Sequence, residues 1–208
     1  MIAKNHLLST APFAFLPVAL ANSHYPELFT RYIHFGNEAQ IIVFFYSVLF
    51  GALLPDIDEP ESRIGRMAPR FISEAIKAVF EHRGITHTLP FILLFLIASV
   101  MTVGYIKIVF FGIALGVMSH IIGDMLTKGG INNFFYPFTK NIKTALLPKC
   151  FRFYTNSLFE RIIVTPVLFV SCFFVLGEFL KSFKEIGTFQ IASKIVAGIE
   201  QIAASLIG

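Results

Sequence analysis

The chain has 208 residues, of which 55% are hydrophobic and only 14% are charged. An average soluble domain carries about 25% charged residues, so this composition excludes a disordered chain or a coiled coil and argues against a soluble globule. The formal charge of +4 does not imply a nucleic-acid partner, because the cytoplasmic loops of membrane proteins also carry excess Lys and Arg.

Long apolar segments recur along the chain. A membrane-spanning helix needs about 20 mostly apolar residues, and the sequence predicts an all-α, polytopic membrane bundle of about five spans in a single domain, residues 1–208. The predicted spans are Leu7–Ala21, Ala39–Pro55, two spans within Leu89–Leu126 that are divided near Lys107, and Ile162–Leu180.

Residues 186–207 are predicted to form a further, amphipathic helix. Ile191, Ile195 and Ile199 recur on one face, whereas Lys194 lies on the other. Such a helix either lies in the membrane interface or forms a sixth, tilted span.

Basic residues are distributed unevenly between the loops. Residues 22–38 contain one Lys or Arg, residues 56–88 contain five, and residues 128–161 contain six. The positive-inside rule therefore places the N-terminus and both basic loops in the cytoplasm.

Ionisable side chains lie at the ends of the apolar segments, and such residues in membrane proteins are often functional. Because successive spans alternate in direction, the starts of the first, third and fifth spans share a membrane face with the ends of the second and fourth. Eight ligand-type residues occupy these positions and should converge at the cytoplasmic ends of the helices: His6, Asp56, Asp58, His82, His87, His120, Asp124 and Glu160.

These residue types favour a divalent metal site. His120 and Asp124 are four residues apart, so they project from one face of a helix, and imidazole with carboxylate suits zinc or manganese. Asp56 and Asp58 can add terminal or bridging oxygens. A bound metal lowers the pKa of its water to about 7, and two ions about 3.5–4 Å apart would hold both the attacking and the leaving oxygen of a phosphoester.

Each candidate also has a purely structural explanation. His120 and Asp124 could form a buried hydrogen-bonded pair, Asp56 and Asp58 an Asx turn, and Glu160 a first-turn carboxylate favoured by the helix dipole. These structural explanations are less favoured for the residues as a set than for each residue alone, because five separate segments bring ligand-type residues to one face. The remaining candidates could be a terminal surface residue or headgroup contacts: His6, His82 and Arg83.

Three segments in this order resemble the YdjM family of bacterial inner-membrane proteins, a family described as metal-dependent hydrolases and as LexA-regulated or LexA-binding. They are LLPDIDEPES at 53–62, HRGITHT at 82–88 and GVMSHIIGDMLTKGGI at 116–131. KNHLLST and SLFERII resemble the family's N-terminal His and late Glu, so the resemblance covers residues 1 to about 165. It implies a multi-pass inner-membrane protein whose motif positions are the eight residues above.

One position departs from the family pattern. Glu59 stands where the family often has His, so either Glu59 replaces that ligand or the metal shell is smaller. The order of candidate ligands is also similar, more weakly, to that of zinc-dependent phospholipase C and a class of multi-zinc nucleases. Those enzymes carry a His four residues before their late Glu, whereas this chain has Asn156.

The leading hypothesis is a hydrolase that acts on a lipid phosphoester at the cytoplasmic leaflet with one to three divalent ions, zinc or alternatively manganese. His120, Asp124 and His87 are expected to be core ligands. His6 and Glu160 would complete the shell. The catalytic candidates are Asp58, which could bind metal or orient the water, His82, which could support a ligand or do acid–base work, and Arg83 for phosphate charge.

Two other classes of function remain open. Intramembrane His and Asp residues also mark ion pathways, but here they cluster at one end of the spans, which ranks a transporter second. A non-catalytic membrane module with a structural metal would fill a shell of about four ligands. Membrane lipids are the expected partners, because the stretch from Ile131 to Asn156 mixes aromatic and basic residues as headgroup-level segments do. Nucleic acid is not expected.

Overall fold

The computed structural model describes residues 1–67, 85–139 and 142–183. The chain begins with α1 (Ala3–Thr10), a single π-helical turn (Ala11–Phe15), α2 (Leu16–His24) and the short α3 (Pro26–Tyr32). Pro12 and Pro17 lack the backbone N–H that would continue an α-helical ladder, and the α-helical pattern of the first apolar segment is interrupted by the π-helical turn at Ala11–Phe15. Residues 186–207 and the amphipathic helix predicted there lie outside the described residues.

The second apolar segment forms α4 (Glu38–Leu53). Asn37 caps its N-terminus, where the side-chain oxygen accepts a hydrogen bond from the backbone N–H of Gln40 at 3.0 Å. The chain then tightens into a 3-10 turn (Leu54–Asp58), which holds both acidic residues of the DID motif, and continues into α5 (Arg63–Met67).

The second half of the chain contains the helices that complete the bundle. A 3-10 turn (Ile85–His87) precedes α6 (Leu89–Met101), and α7 (Gly104–Met125) follows after a short connection. Two short antiparallel strands, β1 (Ile131–Asn132) and β2 (Lys143–Thr144), pair Ile131 with Thr144. A π-helical turn (Glu160–Val164) then leads into α8 (Thr165–Ser182).

Among the described residues, three helical stretches are long and apolar enough to cross a membrane: Glu38–Asp58, Gly104–Met125 and Glu160–Ser182. α6 has 13 residues, about 20 Å at 1.5 Å per residue, against about 30 Å of hydrocarbon core in a bilayer. The prediction of an all-α membrane bundle is confirmed. The total of five spans stays a prediction.

α4 and α7 pack with their backbones in contact. A Cβ atom on Gly116 would lie 2.2 Å from the carbonyl oxygen of Val48, and one on Gly51 would lie 2.4 Å from that of Ile113. Small residues are typical where membrane helices approach closely. This contact brings the C-terminal ends of α4 and α7 together at one end of the bundle.

Candidate metal centre

His120 of α7 is oriented by the backbone of α4. Its Nδ1 lies 2.7 Å from the carbonyl oxygen of Ala52, and because a carbonyl only accepts hydrogen bonds, Nδ1 carries the proton. The lone pair is therefore on Nε2, which is buried and has no hydrogen-bond partner among the described residues. Nε2 lies 3.6 Å from Oδ1 of Asp56 and 3.8 Å from Oδ2 of Asp124. Metal-ligating histidines usually show this arrangement, with the second nitrogen donating to a carbonyl.

α1 brings His6 against the same helix. Its ring stacks on that of His120, with 3.7 Å between centroids and 6° between planes. Its Nε2 lies 3.4 Å from Oδ1 of Asp124, and its buried Nδ1 has no hydrogen-bond partner in the described chain. Burial and, next, the neighbouring His120 lower the pKa of His6 from 6.5 to about 3. The ring is therefore neutral at pH 7 and keeps a lone pair for a metal.

Gly123 permits this close approach of α1 to α7. A Cβ atom there would lie 2.6 Å from Cε of Met1 and 3.4 Å from Nδ1 of His6. One turn further into the bundle, the hydroxyls of Ser9 and Ser119 are 3.2 Å apart. The contact between the two helices thus continues beyond the candidate ligands themselves.

The 3-10 turn after α4 supplies the two aspartates. Asp58 is buried, whereas the side chain of Asp56 is 25% exposed. The hydroxyl of Ser62 donates to the backbone oxygen of Asp56 at 2.7 Å and accepts from the N–H of Gly65 at 2.8 Å. These bonds fix the backbone beneath Asp56, the accessible carboxylate of the cluster.

His87 reaches the cluster from the turn before α6. It is fully buried, and its Nε2 lies 3.9 Å from Oδ2 of Asp124. On the other side of the ring, Nδ1 lies 3.1 Å from the hydroxyl of Thr86 and 3.9 Å from Oδ2 of Asp58. The Thr86 hydroxyl also donates to Asp58 at 3.4 Å. Thr86 and Asp58 therefore orient the His87 ring through Nδ1, so that Nε2 faces Asp124.

These residues form two candidate ligand groups that share His120. The first is His6, Asp56 and His120, and the second is His87, His120 and Asp124. Within each group the potential ligand atoms lie within 4.8 Å of one another. Asp124 additionally accepts a hydrogen bond from the amino group of Met1, so a positive charge already lies against this carboxylate. Nδ1 of His6 and Nε2 of His120, which are buried and have no hydrogen-bond partner in the described ranges, fit a bound cation.

The structure places Glu160 beside this centre with different partners. The buried carboxylate accepts hydrogen bonds from the backbone N–H of Ile2 at 2.9 Å, from the Asn5 amide at 3.0 Å and from the N–H of Asn156 at 2.6 Å. In the described part of the chain it belongs to neither ligand group. Glu160 therefore anchors the segment that carries His6. Its role as a ligand stays a prediction.

The remaining catalytic candidates, His82 and Arg83, lie outside the described residues. Sequence reasoning missed two supporting residues: Thr86, which contacts His87 and Asp58, and Asn5, which donates to Glu160. Each directly precedes a predicted ligand within the same motif, and this adjacency was the available signal.

The segment between α7 and α8 is built onto the same end of the bundle. The N–H of Leu146 donates to the carbonyl of Met125 at 3.1 Å, and the N–H of Leu89 donates to that of Phe134 at 2.8 Å. The segment exposes several large apolar side chains, and the ammonium of Lys128 lies 4.1 Å above the ring of Tyr154. The most exposed of them are Phe138, Phe151, Tyr154 and Leu158.

Comparison with known proteins agrees with the motif resemblance. The profile of the family described as YdjM inner membrane protein matches residues 1–192. The chain belongs to the YdjM family. This confirms the resemblance seen in the motifs, and together with the three apolar helices it supports an inner membrane protein. The number of passes and the side of the N-terminus stay predictions.

Two YdjM proteins and one further relative are similar over part of their length. Inner membrane protein YdjM of Escherichia coli and that of Shigella flexneri are each 35% identical over 94 residues, which is 41% of this chain and 45% of theirs. The uncharacterized protein YvsG of Bacillus subtilis is 36% identical over 126 residues, 60% of this chain and 72% of its own. The aligned region thus spans less than half the length of the two YdjM proteins. No solved structure matches the chain.

Proposed function

We propose that this YdjM-family protein is a metal-dependent hydrolase that cleaves a phosphoester of a membrane lipid at the cytoplasmic ends of its helices. The observation that carries the proposal is the pair of His and Asp groups that meet at His120. Imidazole and carboxylate ligands suit zinc or manganese. When bound, such an ion would polarise the phosphoryl oxygens and acidify a water molecule.

The protein's own residues have distinct tasks in this reaction. Asp56 is the accessible carboxylate of the cluster, so the substrate and the attacking water enter beside it. Asp58 and Thr86 keep His87 in a fixed orientation. Water attacks the phosphorus, the bond from phosphorus to the leaving alcohol oxygen breaks, and that oxygen takes up a proton. His82 and Arg83 remain the predicted proton donor and phosphate contact.

The location of ionisable groups favours hydrolysis over transport. Within the ranges that the structure describes, the buried ionisable side chains all belong to this end of the bundle: His6, Asp58, His87, His120, Asp124 and Glu160. A transporter is expected to carry such groups along a pathway through its spans.

The segment between α7 and α8 favours a substrate at the membrane surface. It combines the exposed aromatic residues Phe138 and Phe151 with basic residues such as Lys128 and Lys143. Aromatic rings lie preferentially at the headgroup level, and basic side chains attract anionic headgroups. The segment is attached to the end of α7 that carries Asp124, so a headgroup held there would lie near the metal centre.

Metal content and phosphoesterase activity test the proposal together. We expect detergent-purified protein, reconstituted with zinc or manganese, to bind metal and to release phosphate or a phosphorylated headgroup from lipids. The double variant His120→Ala/Asp124→Ala should lose both properties. His34→Ala, which removes an exposed histidine distant in sequence from every candidate ligand, is the matched control and should keep them. Metal-free wild type after reconstitution with zinc, manganese and magnesium would refute the proposal.

A further inference from the structure

An apolar groove lies between α4, α8 and the N-terminal helix, a name used here for α1 together with the π-helical turn that follows it. Its volume is about 260 Å³, which exceeds the roughly 150 Å³ of an apolar cavity known to hold benzene. The N-terminal helix contributes Leu7, Leu8, Thr10, Ala11 and Phe15. The other two helices contribute Phe45, Leu49, Cys172, Val175, Leu176 and Phe179.

Among the described residues, the wall of the groove offers no free polar group to a ligand. The Thr10 hydroxyl donates to the carbonyl of Leu7 at 2.7 Å, and the Cys172 thiol of α8 donates to the carbonyl of Leu8 at 3.3 Å. The groove therefore suits a ligand part that is purely hydrocarbon.

The groove starts beside the metal centre and extends into the bundle. Leu7 directly follows His6, and Phe15 lies eight residues further on, about 12 Å along a helix. At that depth the ring of Phe15 contacts Phe45 and Phe179, with centroid distances of 5.1 and 5.3 Å. These three rings form an aromatic floor.

The surroundings of the groove identify its occupant. α4 and α8 belong to stretches that are long and apolar enough to cross a membrane, so lipid tails are the solvent at this depth. Leu176, at the rim, is 47% exposed, which leaves the groove open on the side of the lipid. A tail that enters here has its headgroup end at the level of His6.

We propose that the groove binds one acyl chain of a membrane lipid and thereby places the phosphoester of that lipid at the metal centre. Binding of the chain stands independently, whereas the identity of the bound lipid as substrate rests on the proposed function. An apolar groove that leads away from the ligands would select lipids with a long tail over soluble phosphoesters.

The absence of tryptophan from the chain allows a direct test. Leu176→Trp introduces a single fluorophore at the rim of the groove. Phe173→Trp introduces one on the same helix, at a residue 55% exposed that does not line the groove. Each variant, delipidated in detergent, is titrated with a phosphatidylglycerol that carries bromine atoms along one acyl chain. A melting temperature close to that of the unmodified protein verifies folding.

We expect saturable quenching at position 176 and a gradual, non-saturating decline at position 173. Adding Ala11→Leu, which places extra carbon atoms in the groove, should raise the lipid concentration for half-quenching by about fivefold or more, as expected when a filled site is overpacked. Identical curves for both reporters, or a curve that Ala11→Leu leaves unchanged, would overturn the proposal.

Activity separates this inference from the proposed function. Ala11→Leu should raise KM for a long-chain phospholipid and leave KM for a short-chain, soluble phosphoester unchanged. Saturable quenching in a protein that hydrolyses neither compound would retain the acyl-chain site and refute the hydrolase. Hydrolysis of both compounds with quenching that does not saturate would retain the hydrolase and refute the acyl-chain site.

Discussion

Glu160 offers the sharpest test of how the centre is assembled, because the structure gives its carboxylate three donors from two segments. Glu160→Gln keeps the size of the side chain but replaces one oxygen with an NH₂ group. The remaining oxygen can keep Ile2 and Asn5, so the amide must face the backbone N–H of Asn156. A hydrogen bond to a charged group contributes about 1.5–3 kcal/mol, and we expect the free energy of unfolding to fall by about 2–3 kcal/mol.

The same change should weaken metal binding without removing a ligand. Glu160 holds the segment that carries His6, and loss of an orienting partner typically lowers metal affinity about 10–100-fold. Unfolding in detergent measures the stability, and competition with a chelator measures the affinity and the number of ions bound. Glu178→Gln, on the exposed face of α8, is the matched control and should change neither.

Three outcomes would contradict this reasoning in different ways. Loss of one metal equivalent at unchanged stability would make Glu160 a ligand. Unchanged stability and unchanged affinity would show that the three hydrogen bonds do not anchor the N-terminal segment. An equal effect of Glu178→Gln would attribute the change to the lost charge alone.

Three further predictions concern packing, protonation and orientation. Gly116→Ala places a Cβ atom 2.2 Å from a carbonyl of α4 and should lower stability by about 1–3 kcal/mol, measured by thermal unfolding. Because the pKa of His6 is lowered from 6.5 to about 3, the unfolded chain binds a proton between these pH values that the metal-free fold excludes. The free energy of unfolding is therefore unaffected by this group above about pH 6.5 and decreases as the pH falls from there towards 3. Melting temperatures between pH 8 and 5 should therefore fall less steeply in His6→Gln. Thr86→Val removes the hydroxyl behind His87 and should lower metal affinity about 10-fold at unchanged stoichiometry.

Each of these three predictions has a control or a result that would contradict it. Gly36→Ala, where the nearest atom would be 3.6 Å away, should leave the melting temperature nearly unchanged, and an equal loss would refute the packing argument. A pH profile of His6→Gln that parallels the unmodified protein would show that His6 does not titrate on unfolding. Loss of a whole metal equivalent in Thr86→Val would mean that Thr86 does more than orient its neighbour.

The convergence of the ligands was predictable, because alternating spans and the four-residue spacing of His120 and Asp124 depend only on residue types and order. The structure indeed brings His6, Asp56 and His87 to these two residues. The partners that orient them were not predictable, since the oxygen that fixes His120 is a backbone carbonyl, and any residue type offers one.

The π-helical turn and the short strands were missed for a related reason. The sequence predicts a helix over Leu7–Ala21, and the structure is helical there but includes a π-helical turn at Ala11–Phe15. β1 and β2 carry no alternating pattern, because two-residue strands are too short to show one. The backbone contact of α4 with α7 depends on Gly51, Gly112 and Gly116, and their role is visible only once the facing helix is known.

The single proton on the His120 ring limits how the two ligand groups can be filled. Nδ1 is committed to the Ala52 carbonyl, so the imidazole has one lone pair, and one lone pair binds one ion. The groups are therefore competitors for the same nitrogen rather than two independent sites. Once His120 binds one ion, a second ion is left with the remaining pair of the other group, either His6 with Asp56 or His87 with Asp124. Metal titration should accordingly show one tight step followed by a weaker one, and the weaker ion would be the more readily exchanged.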